Sequence, residues 1–299
     1  MRGITTLVCI IAALGRANGS AVAVRRPIII APAQFGVPKD YATLAALLES
    51  RGHKVFIAPL TRLCWLRIAP ATFTAAFWQA RLEPTPTLNF YFEALDKTFA
   101  AVDAECGPDA SVTLIGHSIG GWAIRAYVGE RLGTERAQKR VARLVTLGTP
   151  HNAPPLSSPV AAVDQTRGLL TYINDKFPSG KPLAPEQLVC VAGRGTTTCN
   201  FGELVRSSAW DGDERRSKLL ERLVALPSYF ALSGSAFGVA GDGLIPIETA
   251  TLTGGCGSIV LDDCHHSGFI PTALDSIVLP DTYKWYGSEG IFEQWADHL

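Results

Sequence analysis

The chain is 299 residues long, 47% hydrophobic, and carries 27 basic against 27 acidic side chains, for a formal net charge of zero. That length suits one large α/β domain with an insertion. The charge balance, with no basic stripe interleaved with aromatics, argues against a nucleic-acid partner.

Arg2 precedes an apolar stretch, residues 4–14, followed by small residues up to Ala21. This is the layout of a secretory signal over residues 1–20, too short to span a bilayer. The expected location is then outside the cell or in the secretory lumen. Arg16 sits awkwardly near the cut, and a plastid leader is the alternative. Removing the leader takes Cys9 and leaves six of seven cysteines, an even number that suits an oxidising compartment. Cys190 with Cys199 and Cys256 with Cys264 are the local candidates for disulfides, free buried thiols being the alternative. No C-x-x-C pair or histidine cluster signals a metal site.

Residues 21–299 read as a single domain. Residues 27–31 form a β-branched run that predicts a buried strand, followed by a loop (32–38) and a helix from Asp40 to Ser50 closed by Gly52. A strand at 55–58, a helix near 88–104 and a strand ending at Ile115 follow. A helix over 122–132, ended by Gly133, and a strand at 143–147 come next. Residues 152–187 and 194–228 lose periodicity and read as irregular cap or lid insertions, separated by a strand at 188–192. Residues 258–261 are the expected last strand. Strands alternating with helices predict a mostly parallel central sheet with helices on both faces. The functional edge lies at the strand C-termini.

At that edge, directly after the strand ending at Ile115, stands Gly116-His117-Ser118-Ile119-Gly120-Gly121. A bare G-x-S-x-G is weak, but here a strand precedes it and a helix follows, the context in which a sharp turn exposes a serine as nucleophile. Such a serine needs an imidazole base and a carboxylate to orient it. Among six histidines, His53 is at the wrong end of the sheet, His117 is too close to reach back, and His298 is next to last. His151 precedes the region of the acid. His265 and His266, after the last strand, remain, with His266 the chosen base. Asp242, between Gly241 and Gly243, is the expected acid, with Asp211, Asp213 and Asp262 as fallbacks. Backbone N–H groups of Ile119 and of the loop after the first strand, Gln34 or Phe35, would hold an oxyanion.

Residues 116–121, Leu147-Gly148-Thr149-Pro150-His151, 241–246 and His266-Ser267 together resemble the α/β-hydrolase superfamily. The likeness is lipase-like, similar to bacterial triacylglycerol lipases and the GPI inositol-deacylase group. Trp285-Tyr286-Gly287-Ser288 resembles a group of plant and algal α/β-hydrolases. The resemblance implies a serine hydrolase of carboxylic esters, with no cofactor and a small-molecule or lipid ester as substrate. Transient contact with a lipid surface is a further implication, and Leu156, Leu169, Leu170, Tyr172 and Phe177 are candidate lid residues. The same triad serves short-chain carboxylesterases, thioesterases and acyltransferases. A non-catalytic binding protein on this scaffold is the rival from another class.

Overall fold

The computed structural model describes residues 25–153, 164, 166–200, 202, 213–252, 254 and 256–299. The expected leader with Cys9 lies outside the described residues, as do Leu156 and Asp211. Eight strands come first in chain order: β1 (Ile28–Ala31), β2 (Val55–Ile57), β3 (Val112–His117), β4 (Val141–Leu147), β5 (Leu188–Arg194), the short β6 (Thr196–Thr197) and β7 (Ala240–Gly241), and β8 (Gly257–Asp262). Six of them form one sheet in the order β2-β1-β3-β4-β5-β8, and every neighbouring pair is parallel. The sheet is thus parallel throughout, and all its carboxyl ends share one edge.

Strand register explains why these segments are apolar on both faces. Ile29, Leu114, Leu144 and Leu188 lie side by side across the sheet and point into one core. The next row, Ile30, Ile115, Val145 and Val189, points into the other. A strand buried on both sides must be continuously hydrophobic. The first core is closed by the helices Asn89–Cys106 and Ile119–Tyr127, through Phe92, Leu95, Phe99, Trp122 and Ile124. The second is closed by Ala42–Ser50, through Leu44 and Leu48, and by Ile291, Phe292 and Trp295 near the carboxyl terminus.

One expectation holds and three are corrected. The helix behind Ser118 runs on through a π-helical turn, Val128–Leu132, and Gly133 caps it at φ 69°, as the sequence predicts. A separate helix, Gly133–Arg140, unmarked in the sequence, follows with Ala137 buried. Both insertions contain helices, Leu169–Lys176 and Asp213–Ser233. The second is charged at its start and carries Pro227, which hides the period set by buried Ala225, Tyr229 and Leu232. After β8 comes an antiparallel hairpin, β9 (Phe269–Pro271) and β10 (Ser276–Val278). Finally, the six described cysteines are free thiols. Neither Cys190–Cys199 nor Cys256–Cys264 is bonded; the tertiary fold instead brings Cys190 Sγ to 3.9 Å from Cys256 Sγ.

Candidate active site

Ser118 follows β3 and opens the helix Ile119–Tyr127, with φ 54° and ψ −129°. A non-glycine residue there is strained, and the surrounding structure must hold it. It does so by close passage of strand and helix. A Cβ on Gly116 would sit 2.4 Å from the Gly121 Cα, and one on Gly120 would sit 2.3 Å from the Ala31 carbonyl oxygen. The Ser118 amide also donates to the Leu147 carbonyl at 2.9 Å, tying the turn to β4. Ser118 lines a cavity of about 580 Å³, together with Phe35, Val224, Leu244, Phe269, Ile270, Pro271 and Leu279, and with Gln34, Asp242, His265 and His266. Among the described residues no hydrogen bond to the Ser118 hydroxyl is formed.

The candidate acid, Asp242, is enclosed and both its oxygens accept hydrogen bonds. Asp242 Oδ1 accepts from the amides of Leu244 (3.0 Å) and Ile245 (2.7 Å). Oδ2 accepts from His266 Nδ1 and from the Tyr286 hydroxyl, each at 2.8 Å. Burial by itself would raise the Asp242 carboxyl; the charge and hydrogen bond of His266, with the Ile245 amide and Tyr286 hydroxyl, outweigh it and hold the group below the ordinary carboxylate value. Because an ionised carboxylate only accepts, His266 Nδ1 carries a hydrogen. In a neutral imidazole Nε2 is then left bare, the tautomer a general base requires. The two loops are also joined by the His266 amide, which donates to the Asp242 carbonyl at 2.8 Å. Gly148 makes room for this knot: at φ 53°, a Cβ there would meet Asp242 Oδ2 at 2.5 Å and the Tyr286 hydroxyl at 2.8 Å.

His265 also lines the cavity, but the hydrogen bond to Asp242 comes from His266. Its amide donates to the Lys284 carbonyl, its ring lies against Tyr283, and Nε2 is 4.0 Å from Glu221 Oε2. Of the fallback acids, Asp262 pairs with Arg194 at the surface and Asp213 begins the helix Asp213–Ser233. Gln34 and Phe35 sit in the turn after β1 and line the cavity with Ser118. The Ile119 amide is in the first turn of its helix, where N–H groups have no intrahelical partner. The turn after β1 is pinned from behind, with the Ala33 amide donating to the Tyr41 hydroxyl at 2.7 Å.

The candidate lid is displaced. Leu169 and Leu170 belong to the first core, Tyr172 and Phe177 pack against it, and none of the four lines the cavity. The cover over Ser118 comes instead from Val224 on the helix Asp213–Ser233 and from the β9–β10 hairpin. Sequence reasoning also missed Tyr41 and Tyr286. Tyr286 was visible only within Trp285-Tyr286-Gly287-Ser288, where nothing local marks its hydroxyl as a partner of Asp242.

Residues 87–193 match the family model described as "PGAP1-like alpha/beta domain", a span that includes Ser118 and Ile119 but neither Asp242 nor His266. The parallel sheet order and the strained serine after β3 set the architecture. The fold is that of an α/β-hydrolase. No curated protein matches the chain. Among solved structures, lipase BlEst2 of Bacillus licheniformis in mature form is 14% identical over 82% of this chain and 86% of that one, with a TM-score of 0.45. A soluble variant of a Saccharomyces cerevisiae monoglyceride lipase, in complex with a substrate analog, is 11% identical over 92% and 87%, with a TM-score of 0.43. A pyrethroid hydrolase of Sphingobium faniae is 16% identical over 91% and 96%, with a TM-score of 0.37. Resemblances this distant carry no argument, and the fold rests on the strand order and the turn at Ser118.

Proposed function

We propose that the protein is a serine hydrolase that cleaves carboxylic esters with an apolar acyl group, through a Ser118–His266–Asp242 triad. The observation that carries this reading is the Asp242 carboxylate bonded to His266 Nδ1, lining the same cavity as Ser118. In this scheme Nε2 of His266 takes the Ser118 proton as Oγ attacks the ester carbonyl. The oxyanion is held by the amides of Ile119 and Gln34. His266 then passes the proton to the leaving alkoxide, and water releases the acyl group from Ser118 by the same steps. Asp242 keeps the imidazole in the productive tautomer and stabilises its cationic form.

The lining favours an apolar acyl chain, and the rim extends that preference outward. Val224 is 73% exposed at the mouth, alongside half-exposed Phe35, Leu244 and Ile270. Such a rim suits a lipid acyl ester delivered from a lipid surface. Among the described residues no helix is long and apolar enough to cross a membrane. Turnover of p-nitrophenyl esters of increasing acyl length tests this preference. kcat/KM rising with chain length is expected, and a steep fall beyond short acyl groups would leave a short-chain carboxylesterase instead.

A further inference from the structure

His117 ends β3 one residue before Ser118, and neither it nor Tyr41 has any solvent exposure. Burial, with the His266 charge acting in the same direction, pushes the His117 imidazole down to about 3. It is therefore neutral near pH 7 and holds a single ring hydrogen. The partners fix where that hydrogen is. The His266 carbonyl oxygen, 2.8 Å from Nε2, can only accept, so Nε2 donates. Nδ1 must then accept from the Tyr41 hydroxyl, also at 2.8 Å. The Tyr41 oxygen in turn accepts from the Ala33 amide. A single directional chain of hydrogen bonds thus runs from Ala33 through Tyr41 and His117 to the backbone of His266.

The ends of this chain are the two parts of the site whose spacing matters most. Ala33 precedes Gln34, the second oxyanion donor, and His266 is the base. We propose that His117, acting with Tyr41, is a positioning residue that fixes the oxyanion loop and the general base in register across Ser118. The inference rests on the serine-hydrolase reading above.

Two physical features favour a positioning role over simple space filling. Every polar atom of the Tyr41 and His117 side chains is committed, so the link has one low-energy arrangement. The His117 and His266 rings are 5.0 Å apart between centroids. A cation at His117 would oppose the charge that His266 acquires when it takes the serine proton. Keeping His117 buried and neutral removes that opposition. Edge-on contacts from Phe269 and Tyr286 help to enclose the imidazole.

The test compares wild type with Tyr41→Phe, His117→Gln, His117→Leu and the Tyr41→Phe/His117→Gln double variant. Fluorophosphonate labelling of Ser118, steady-state kinetics on one apolar p-nitrophenyl ester and melting temperature are read together. Each single variant is expected to lose about 10- to 100-fold in kcat, the scale of a small misplacement of reacting groups, while KM moves by less than about threefold. Because the links are in series, the double variant should lose less than the product of its singles. His117→Gln, which can still donate to the His266 carbonyl, should retain more kcat than His117→Leu. Tyr41→Phe keeps the ring in place and decides the matter if the His117 variants do not fold. Wild type that folds but is not labelled at Ser118 would remove the serine-hydrolase reading and the inference with it. Labelled wild type, with variants that melt lower yet keep wild-type kcat, would leave that reading standing and overturn the role of His117.

Discussion

Two imidazoles, His117 and His151, lie buried at the carboxyl ends of adjacent strands, and their partners set them apart. His117 is built into the hydrogen-bonded chain between the turn after β1 and His266. His151 belongs to a cluster below the sheet edge: Arg125 Nη1 donates to its Nδ1 at 3.3 Å, so its Nε2 faces Thr146 Oγ1 at 3.0 Å as donor. Asn174 bridges, accepting from Arg125 and donating to the His151 carbonyl. Cys190 lies 3.5 Å from the same Nε2. Burial lowers the affinity of both rings for a proton. Burial therefore says only that an imidazole is neutral; the groups it joins say what it is for. The His117 side joins loops that surround Ser118, whereas the His151 side joins a helix, a strand and the core-packed segment 169–177.

Activity should respond on one side only. Asp242→Asn leaves volume and fold nearly unchanged but presents a donor to His266 Nδ1, favouring the wrong tautomer. A loss on the order of 10⁴ in kcat is expected, and an undiminished rate would break the distinction between the two clusters. His151→Ala should act on stability instead. It opens a cavity and strips partners from Arg125 and Thr146, at a cost of about 3 kcal/mol. Urea unfolding would measure this, with turnover per labelled Ser118 unchanged within about twofold.

The pH dependence of stability sharpens the comparison. Both imidazoles are lowered from 6.5 in the folded protein, His117 to about 3. Between those values the unfolded chain binds protons that the folded one refuses, so stability rises with pH across that window. Each ring contributes up to about 1.4 kcal/mol per pH unit. Urea midpoints measured from pH 6.5 down to 4.5 should lose about one proton's worth of slope in His151→Ala, and a slope equal to that of wild type would contradict neutral burial. The smallest effect concerns the thiols beside His151. A hydrogen bond from Cys190 pushes the half-buried Cys256 thiol down to about 7, while the Cys190 thiol is raised. Iodoacetamide at pH 7 should alkylate Cys256 well before Cys190, read by peptide mass.

Much of this was legible in the sequence because the forces involved are local. β-branched runs marked the central strands, small residues around Ser118 marked the elbow, and Gly-Asp-Gly marked the loop that carries Asp242. The rest depends on distant partners. Tyr41 and His117 are 76 residues apart, and Cys190 and Cys256 are 66 apart. Neither pair has a sequence signature. The cover over Ser118 was misplaced for a similar reason. Leu169 and Leu170 looked like lid residues because they are apolar, but the same property lets them fill the core. Val224 sits in a helix whose charged start and Pro227 obscured it.

Intact-protein mass after treatment with a fluorophosphonate is the most direct measurement of the catalytic role of Ser118. Folded wild type should gain one probe mass, mapped to Ser118 by peptide analysis, and Ser118→Ala should gain none. Folded wild type that stays unmodified, or a Ser118→Ala protein that labels equally, would contradict it.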